Sequence, residues 1–140
     1  MGTKRNCLCD GDGVPLAVCL SGANIHDMKR LQETIESMII ERPAYLAVKV
    51  NLCLDKGFDY RECEETVVEN CMRPHIRRRK EEIIEKQAGK KPRRWPIERT
   101  FSWFNRYRRL LIRWEKKPEN YLGFLHIACC IMVLFKLITG

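Results

Sequence analysis

Two acidic residues stand where a carboxylate could do chemistry. Asp55 closes the run Ala47-Val48-Lys49-Val50-Asn51-Leu52-Cys53-Leu54 and precedes Lys56-Gly57-Phe58-Asp59. Glu98 lies among arginines at positions 93, 94, 99, 106, 108, 109 and 113. Carboxylate oxygens are the ligands that hard divalent cations take. Arginines around them suit a phosphate-bearing substrate. Each acid also has a plainer explanation. An Asp before Lys-Gly often just forms a turn. A Glu near arginines at helical spacing is commonly a surface ion pair worth a few tenths of a kcal/mol, which helix geometry alone favours. Topology shifts the balance, because ligands and catalytic groups gather at the carboxyl ends of strands in open α/β sheets.

The elements that must position these residues can be read from periodicity. Lys4 to Cys9 and Val14 to Ser21, split by Asp10-Gly11-Asp12-Gly13, form the strongest short-range hairpin signal. Met28, Leu31, Ile35, Met38 and Ile39 recur at three- and four-residue steps, predicting an amphipathic helix with Asp27 or Asn24 near its cap and Pro43 closing it. The run 47–54 reads as a strand, Tyr60 to Asn70 as a polar helix, and Met72 to Ile76 as a second, parallel strand in which Pro74 requires an edge or a strand start. Residues 77–93, rich in Arg, Lys and Glu, are expected to form a basic loop or frayed insert. One long helix is expected from Arg94 to Glu115, with Pro96 tolerated in the first turn. On its wheel Ile97, Phe101, Phe104 and Leu111 with Trp103, Tyr107, Leu110 and Trp114 form a buried half, and Glu98, Asn105 and Arg109 share an edge sector with Arg94. A closing helix runs from Pro118 towards Leu137. The expected organisation is a sheet core with helices over 1–76, a basic loop over 77–93 and C-terminal helices over 94–140.

The formal net charge of +8 is unevenly spread. Residues 1–72 hold eight Lys/Arg against twelve Asp/Glu, whereas 73–117 hold seventeen against five, a local excess of 17 − 5 = 12. Concentrated positive charge suits a polyanion, either nucleic acid or an anionic membrane surface. Met1 to Asp12 has no signal-peptide pattern, so a reducing cytoplasm is expected. The eight cysteines contain no Cys-x-x-Cys pair, and His75 stands four residues after Cys71 at ligand-like spacing. Buried free thiols are expected rather than a zinc site. Leu122 to Phe135, apolar except for His126, is shorter than the roughly 20 residues of a membrane span. It is expected to be buried, with no membrane partner.

Leu54-Asp55-Lys56-Gly57-Phe58-Asp59 resembles the Asp-x-Gly-Tyr/Phe-Asp motif around the second catalytic Asp of DDE transposases of bacterial insertion elements. Arg93-Arg94-Trp95-Pro96-Ile97-Glu98-Arg99-Thr100 resembles the Arg-x-x-x-Glu signature that carries their catalytic Glu. Trp103-Phe104-Asn105-Arg106-Tyr107-Arg108-Arg109-Leu110, Arg113-Trp114-Glu115, Gly13-Val14-Pro15-Leu16 and Ala23-Asn24-Ile25-His26-Asp27 are similar too. Asn105 stands where the family often has Lys, and Lys91 where it has Tyr.

The resemblance implies an RNase H-like mixed sheet lacking its first strand, and metal-dependent cleavage and strand transfer of DNA. Asp55 and Glu98 are then catalytic residues and ligands of two Mg²⁺ or Mn²⁺ ions. Arg93, Arg94, Arg99, Asn105, Arg106, Arg109 and Arg113 are then DNA contacts, Asn105 by hydrogen bonding. The implied partners are transposon-end and target DNA, a further copy in a homo-oligomer, and an N-terminal transposase fragment. The first catalytic Asp is expected upstream of the hairpin, since turn or cap duty explains Asp10, Asp12 and Asp27 better. The chain is therefore read as the C-terminal part of a catalytic domain, inactive alone. Two alternatives stand beside this reading: a non-catalytic DNA-binding or regulatory fragment, and a small basic tail-anchored membrane protein.

Overall fold

The structure is a computed structural model that describes residues 2–40, 50–76 and 95–139. Thr3–Cys9 (β1) and Pro15–Gly22 (β2) form an antiparallel hairpin with a register irregularity at Leu8/Cys9. Its turn is built by Asp10, whose Oδ1 accepts the backbone N–H of Asp12 at 2.9 Å and of Val14 at 2.8 Å. Alternation then sorts the hairpin's side chains. Cys7, Val18 and Leu20 join one apolar cluster with Phe104, Leu110, Tyr121 and Leu125. Leu8 joins a second with Leu31, Ile35, Leu52, Cys63, Val67 and Met72. The hairpin thus separates two cores.

A 3₁₀ turn, Asp27–Arg30, leads into a short helix, Leu31–Glu36 (α1). The expected continuation to Ile39 does not form. The Ser37 hydroxyl donates to the Thr34 carbonyl at 2.9 Å, a local bond that competes with helix, and Ile39 is 93% exposed. Neither Asn24 nor Asp27 caps the segment; His26 is the capping position and makes no side-chain cap bond. Asp27 instead pairs with Lys4 at 3.0 Å.

Asn51–Leu54 (β3) and Arg73–Ile76 (β4) pair in parallel, joined by Arg61–Glu69 (α2). Pro74 is accommodated because β4 has β3 as its one described partner. The expected strand start at 47–49 lies outside the described residues, as does the basic stretch 77–93. Mixed α/β architecture with two small sheets, one antiparallel and one parallel, is what the described residues form.

The single helix expected over 94–115 is corrected. Trp95–Phe104 (α3) stops, and a one-turn helix, Arg108–Leu111 (α4), follows. The N–H groups of Arg106 and Tyr107 bond three residues back, and Tyr107 is extended at φ −87°. A continuous helix would set Phe104 and Leu110 about 120° apart around its axis. The break lets both enter the first core, where Phe104 is 0% exposed. In consequence Leu111 and Trp114, expected inside, are outside, Trp114 at 75%.

The last described element is the helix Pro118–Thr139 (α5), 22 residues long, where a helix from Pro118 towards Leu137 was expected. Tyr121, Leu125, Ala128 and Met132 face the core, and the Tyr121 hydroxyl donates to the Leu110 carbonyl at 2.8 Å. The rest of α5 is largely exposed, His126 included, contrary to the expected burial. By length and composition α5 is apolar enough to cross a membrane, with a mean hydropathy of 2.2 over its best window, a criterion that core helices of soluble proteins also meet.

Candidate functional site

Asp55 sits at the carboxyl end of β3, exposed to solvent. Its backbone is extended, and its Oδ1 accepts the Lys56 N–H at 2.7 Å, capping the 3₁₀ turn Lys56–Phe58. Leu54 and Phe58, on either side, pack on the second core, so the acid is carried at the rim of a packed strand end.

Glu98 lies exposed in the first turn of α3. That turn is fixed to the hairpin by contacts 87 residues apart in sequence. The Thr100 hydroxyl, in a residue 0% exposed, lies 2.6 Å from the Gly13 carbonyl oxygen and 3.0 Å from that of Pro96. Its one proton serves the closer acceptor. Gly13 has φ +79°, and a Cβ there would stand 3.0 Å from the Pro96 carbonyl oxygen. Only glycine enters both that conformation and that approach without strain. Gly13 is therefore the seat on which Glu98's helix rests.

The arginines divide by what they touch. Arg99 is exposed beside Glu98, with its guanidinium 4.6 Å from the Trp103 ring centre. Arg106 is exposed in the turn after α3. Arg109 lies 4.8 Å over Phe124 and pairs with Glu115 at 3.4 Å. Arg113 is half-buried, donating to the carbonyls of Glu115 at 2.9 Å and Lys116 at 3.1 Å and to the Thr3 hydroxyl, with its guanidinium over Tyr121. Arg113 thus closes the chain reversal before α5. Arg93 and Arg94 lie outside the described residues.

Sequence reasoning missed Arg5. Its guanidinium donates to Asn105 Oδ1 at 3.1 Å and the Leu110 carbonyl at 3.4 Å and lies 5.5 Å over Phe101. Asn105, expected to face Glu98 from one helix, is instead held just past the end of α3 by β1. The available signal was parity: Arg5 shares the strand face of Cys7, which points at the first core.

No group of three or more His, Cys, Asp or Glu side chains that could hold a metal ion occurs among the described residues. Cys71 is exposed and His75 half-buried, with no such cluster about them. The thiols are free, but Cys53, Cys71 and Cys130 are exposed, which corrects the expectation of general burial. Burial, then the neighbouring Cys130, pushes the Cys129 thiol up to about 11. Burial raises Cys7 further, with Cys129, Cys9 and Cys19 adding to the effect.

A mixed α/β chain with a carboxylate at a strand end and another on an arginine-bearing helix is the class that the geometry outlines. Residues 1–133 match the family model described as Transposase DDE domain, and the chain belongs to that family, the DDE-type transposases of insertion sequences. It is 29% identical over 140 residues to a protein of Burkholderia cepacia named as a candidate transposase for insertion sequence element IS402. The alignment covers 94% of this chain and 62% of that protein's length. No solved structure matches.

Proposed function

We propose that this chain supplies two of the three carboxylates of a DDE strand-transfer site, Asp55 and Glu98, to a transposase acting on DNA. The observation that carries the proposal is placement. Asp55 projects from a parallel strand's carboxyl end, and Glu98 from a first turn pinned to the neighbouring hairpin by Thr100 and Gly13. The strand pairings support the RNase H-like reading: β1 and β3 each have one described partner, and one strand between them would join the two pairs into a five-stranded mixed sheet. In the resembling fold that strand carries the first Asp.

The donor chemistry fits Mg²⁺ or Mn²⁺ in part. Both residues are exposed carboxylates, the oxygen ligands that hard cations take, and a third would complete the set. When bound, the ions supply activation of water or a 3′-OH and stabilise the leaving oxygen. This chain's residues hold and orient. The strand end fixes Asp55, the Gly13 and Thr100 seat fixes Glu98, and Arg99 and Arg106 offer positive charge to phosphates from the same helix and the turn after it. A cytoplasmic setting and action as a homo-oligomer belong to this reading, as does the division into sheet core, basic stretch and C-terminal helices.

A plasmid bearing the element's ends, incubated with Mg²⁺ and the protein extended upstream to include the first Asp, tests it. Nicking is expected, reduced at least 100-fold by Asp55→Ala or Glu98→Gln. Nicking that survives both substitutions would refute the assignment.

A second reading has its own support. Asp10 is engaged by two backbone N–H groups, Asp27 by Lys4, and Asp12 stands 3.9 Å from Lys136, so each early acid has a structural duty. In that reading the protein binds DNA without cutting it and competes with intact enzyme. Metal-independent DNA retention, with no nicking from any extended form, would favour that alternative.

A further inference from the structure

We propose that Trp114 is a stacking platform for an unpaired base of single-stranded DNA, a contact that rests on the DNA-acting reading above but not on its metal site. Exposure alternates along the segment after α4: Ile112, Trp114 and Lys116 face solvent, whereas Arg113 and Glu115 between them turn inward. The inward pair fastens the segment to the protein. Arg113 donates to the carbonyls of Glu115 and Lys116 and to the Thr3 hydroxyl, and Glu115, whose side chain is 9% exposed, pairs with Arg109 at 3.4 Å. With its neighbours held from inside, Trp114 is carried on the opposite side of an extended backbone. It is 75% exposed, beside Ile112 at 56% and Leu111 at 57%. A large aromatic ring on an anchored backbone, turned away from both cores, has no packing role in the fold.

Charge selects what covers it. Residues 105–117 hold six Lys/Arg and a single acid, Glu115. Arg109 and Arg113 are engaged internally, while Arg106, Arg108, Lys116 and Lys117 are exposed and make no ion pair among the described residues. A second copy would bring the same local excess, 6 − 1 = 5, against itself. A DNA strand brings negative phosphates and flat π faces together, the pairing that an exposed indole among cations takes. Within a duplex those faces are closed by stacking, so the base on Trp114 must be unpaired. Nicking, the reaction proposed above, makes strand ends that can supply one. The platform is separate from the carboxylates. Glu98's helix sits on Gly13 at the turn of the hairpin, whereas Arg113 reaches Thr3 at its open end, about 20 Å away along β1.

The test is titration of the full chain, without divalent metal, against an end-labelled oligothymidylate of about twelve nucleotides and against a blunt duplex of mixed sequence. Affinities are read from anisotropy, and stacking from tryptophan fluorescence. The single strand is expected to quench the fluorescence. Trp114→Ala should weaken single-strand binding roughly 5- to 150-fold, the range for one stacked base, and leave duplex affinity unchanged. Trp114→Phe, which keeps a π face, should restore most of the single-strand affinity without the quenching. Equal losses for single strand and duplex, or a Trp114→Ala protein that binds the single strand as wild type does, would overturn the proposal and leave the DNA-acting reading in place. Failure to bind either form of DNA would overturn both. Binding through Trp114 to phosphatidylcholine–phosphatidylglycerol vesicles, in place of the single strand, would show a membrane face and overturn the proposal as well.

Discussion

Asp55 and Glu98 are held in place by residues with no proposed part in the chemistry. The bond from Thr100 to Gly13 ties the helix bearing Glu98 to a turn formed by Asp10, and the glycine's positive φ permits the approach. Gly13→Ala should destabilise the protein by about 2 kcal/mol, from left-handed strain and the 3.0 Å contact, read as a lowered urea midpoint with an unchanged slope. Thr100→Val should lower it as well, and Thr100→Ser should restore part of the loss. The thiols give a pH dependence whose sign is fixed. Cys129, raised from 9.0 to about 11, keeps its proton longer in the folded than in the unfolded chain. Its contribution is complete below pH 9 and lost as pH rises through 11, with Cys7 extending the loss upward. Thermal unfolding from pH 8 to 11 should show a falling midpoint, and a Cys129→Ala protein should show a shallower fall. Asp55 was legible in sequence because a strand end before Lys-Gly-Phe-Asp is local. Arg5 and Arg113 were not, because Asn105 and Thr3, their partners, lie 100 or more residues away.

At the scale of elements, the hairpin, the helix over 61–69 and the parallel pair β3–β4 were legible because period and turn residues agree within each segment. The failure over 94–115 has a physical cause. Periodicity assumes one axis, and the first core draws Phe104 and Leu110 inward from directions that one axis does not bring together. Arg5 stabilises the resulting break by holding Asn105 and the Leu110 carbonyl. Arg5→Ala should therefore cost about 1–3 kcal/mol, detected as a lower thermal midpoint with loosened amide protection over 105–111. Arg113→Ala should behave likewise while leaving the salt dependence of DNA binding unchanged, since its donors serve backbone carbonyls and Thr3. Arg99→Ala should do the reverse, weakening DNA binding with little effect on stability.

For the whole molecule, one hairpin has a core on each face, and each proposed carboxylate belongs to the helix or strand of a different core. Both acids are exposed, so either can be replaced without disturbing a core. The surplus of positive charge over 73–117 should give DNA binding a steep salt dependence, with log K falling against log salt at a slope of roughly −5 if six phosphates are neutralised. Asp55 and Glu98 are proposed to serve one metal site. Fe²⁺ with ascorbate and peroxide cuts a polypeptide beside bound metal, and the cuts are mapped in the protein extended upstream to include the first Asp. Cuts are expected near both residue 55 and residue 98, both sets competed by Mg²⁺ and both lost in Asp55→Ala and in Glu98→Gln. Cuts at one position that persist when the other acid is replaced would contradict a shared site.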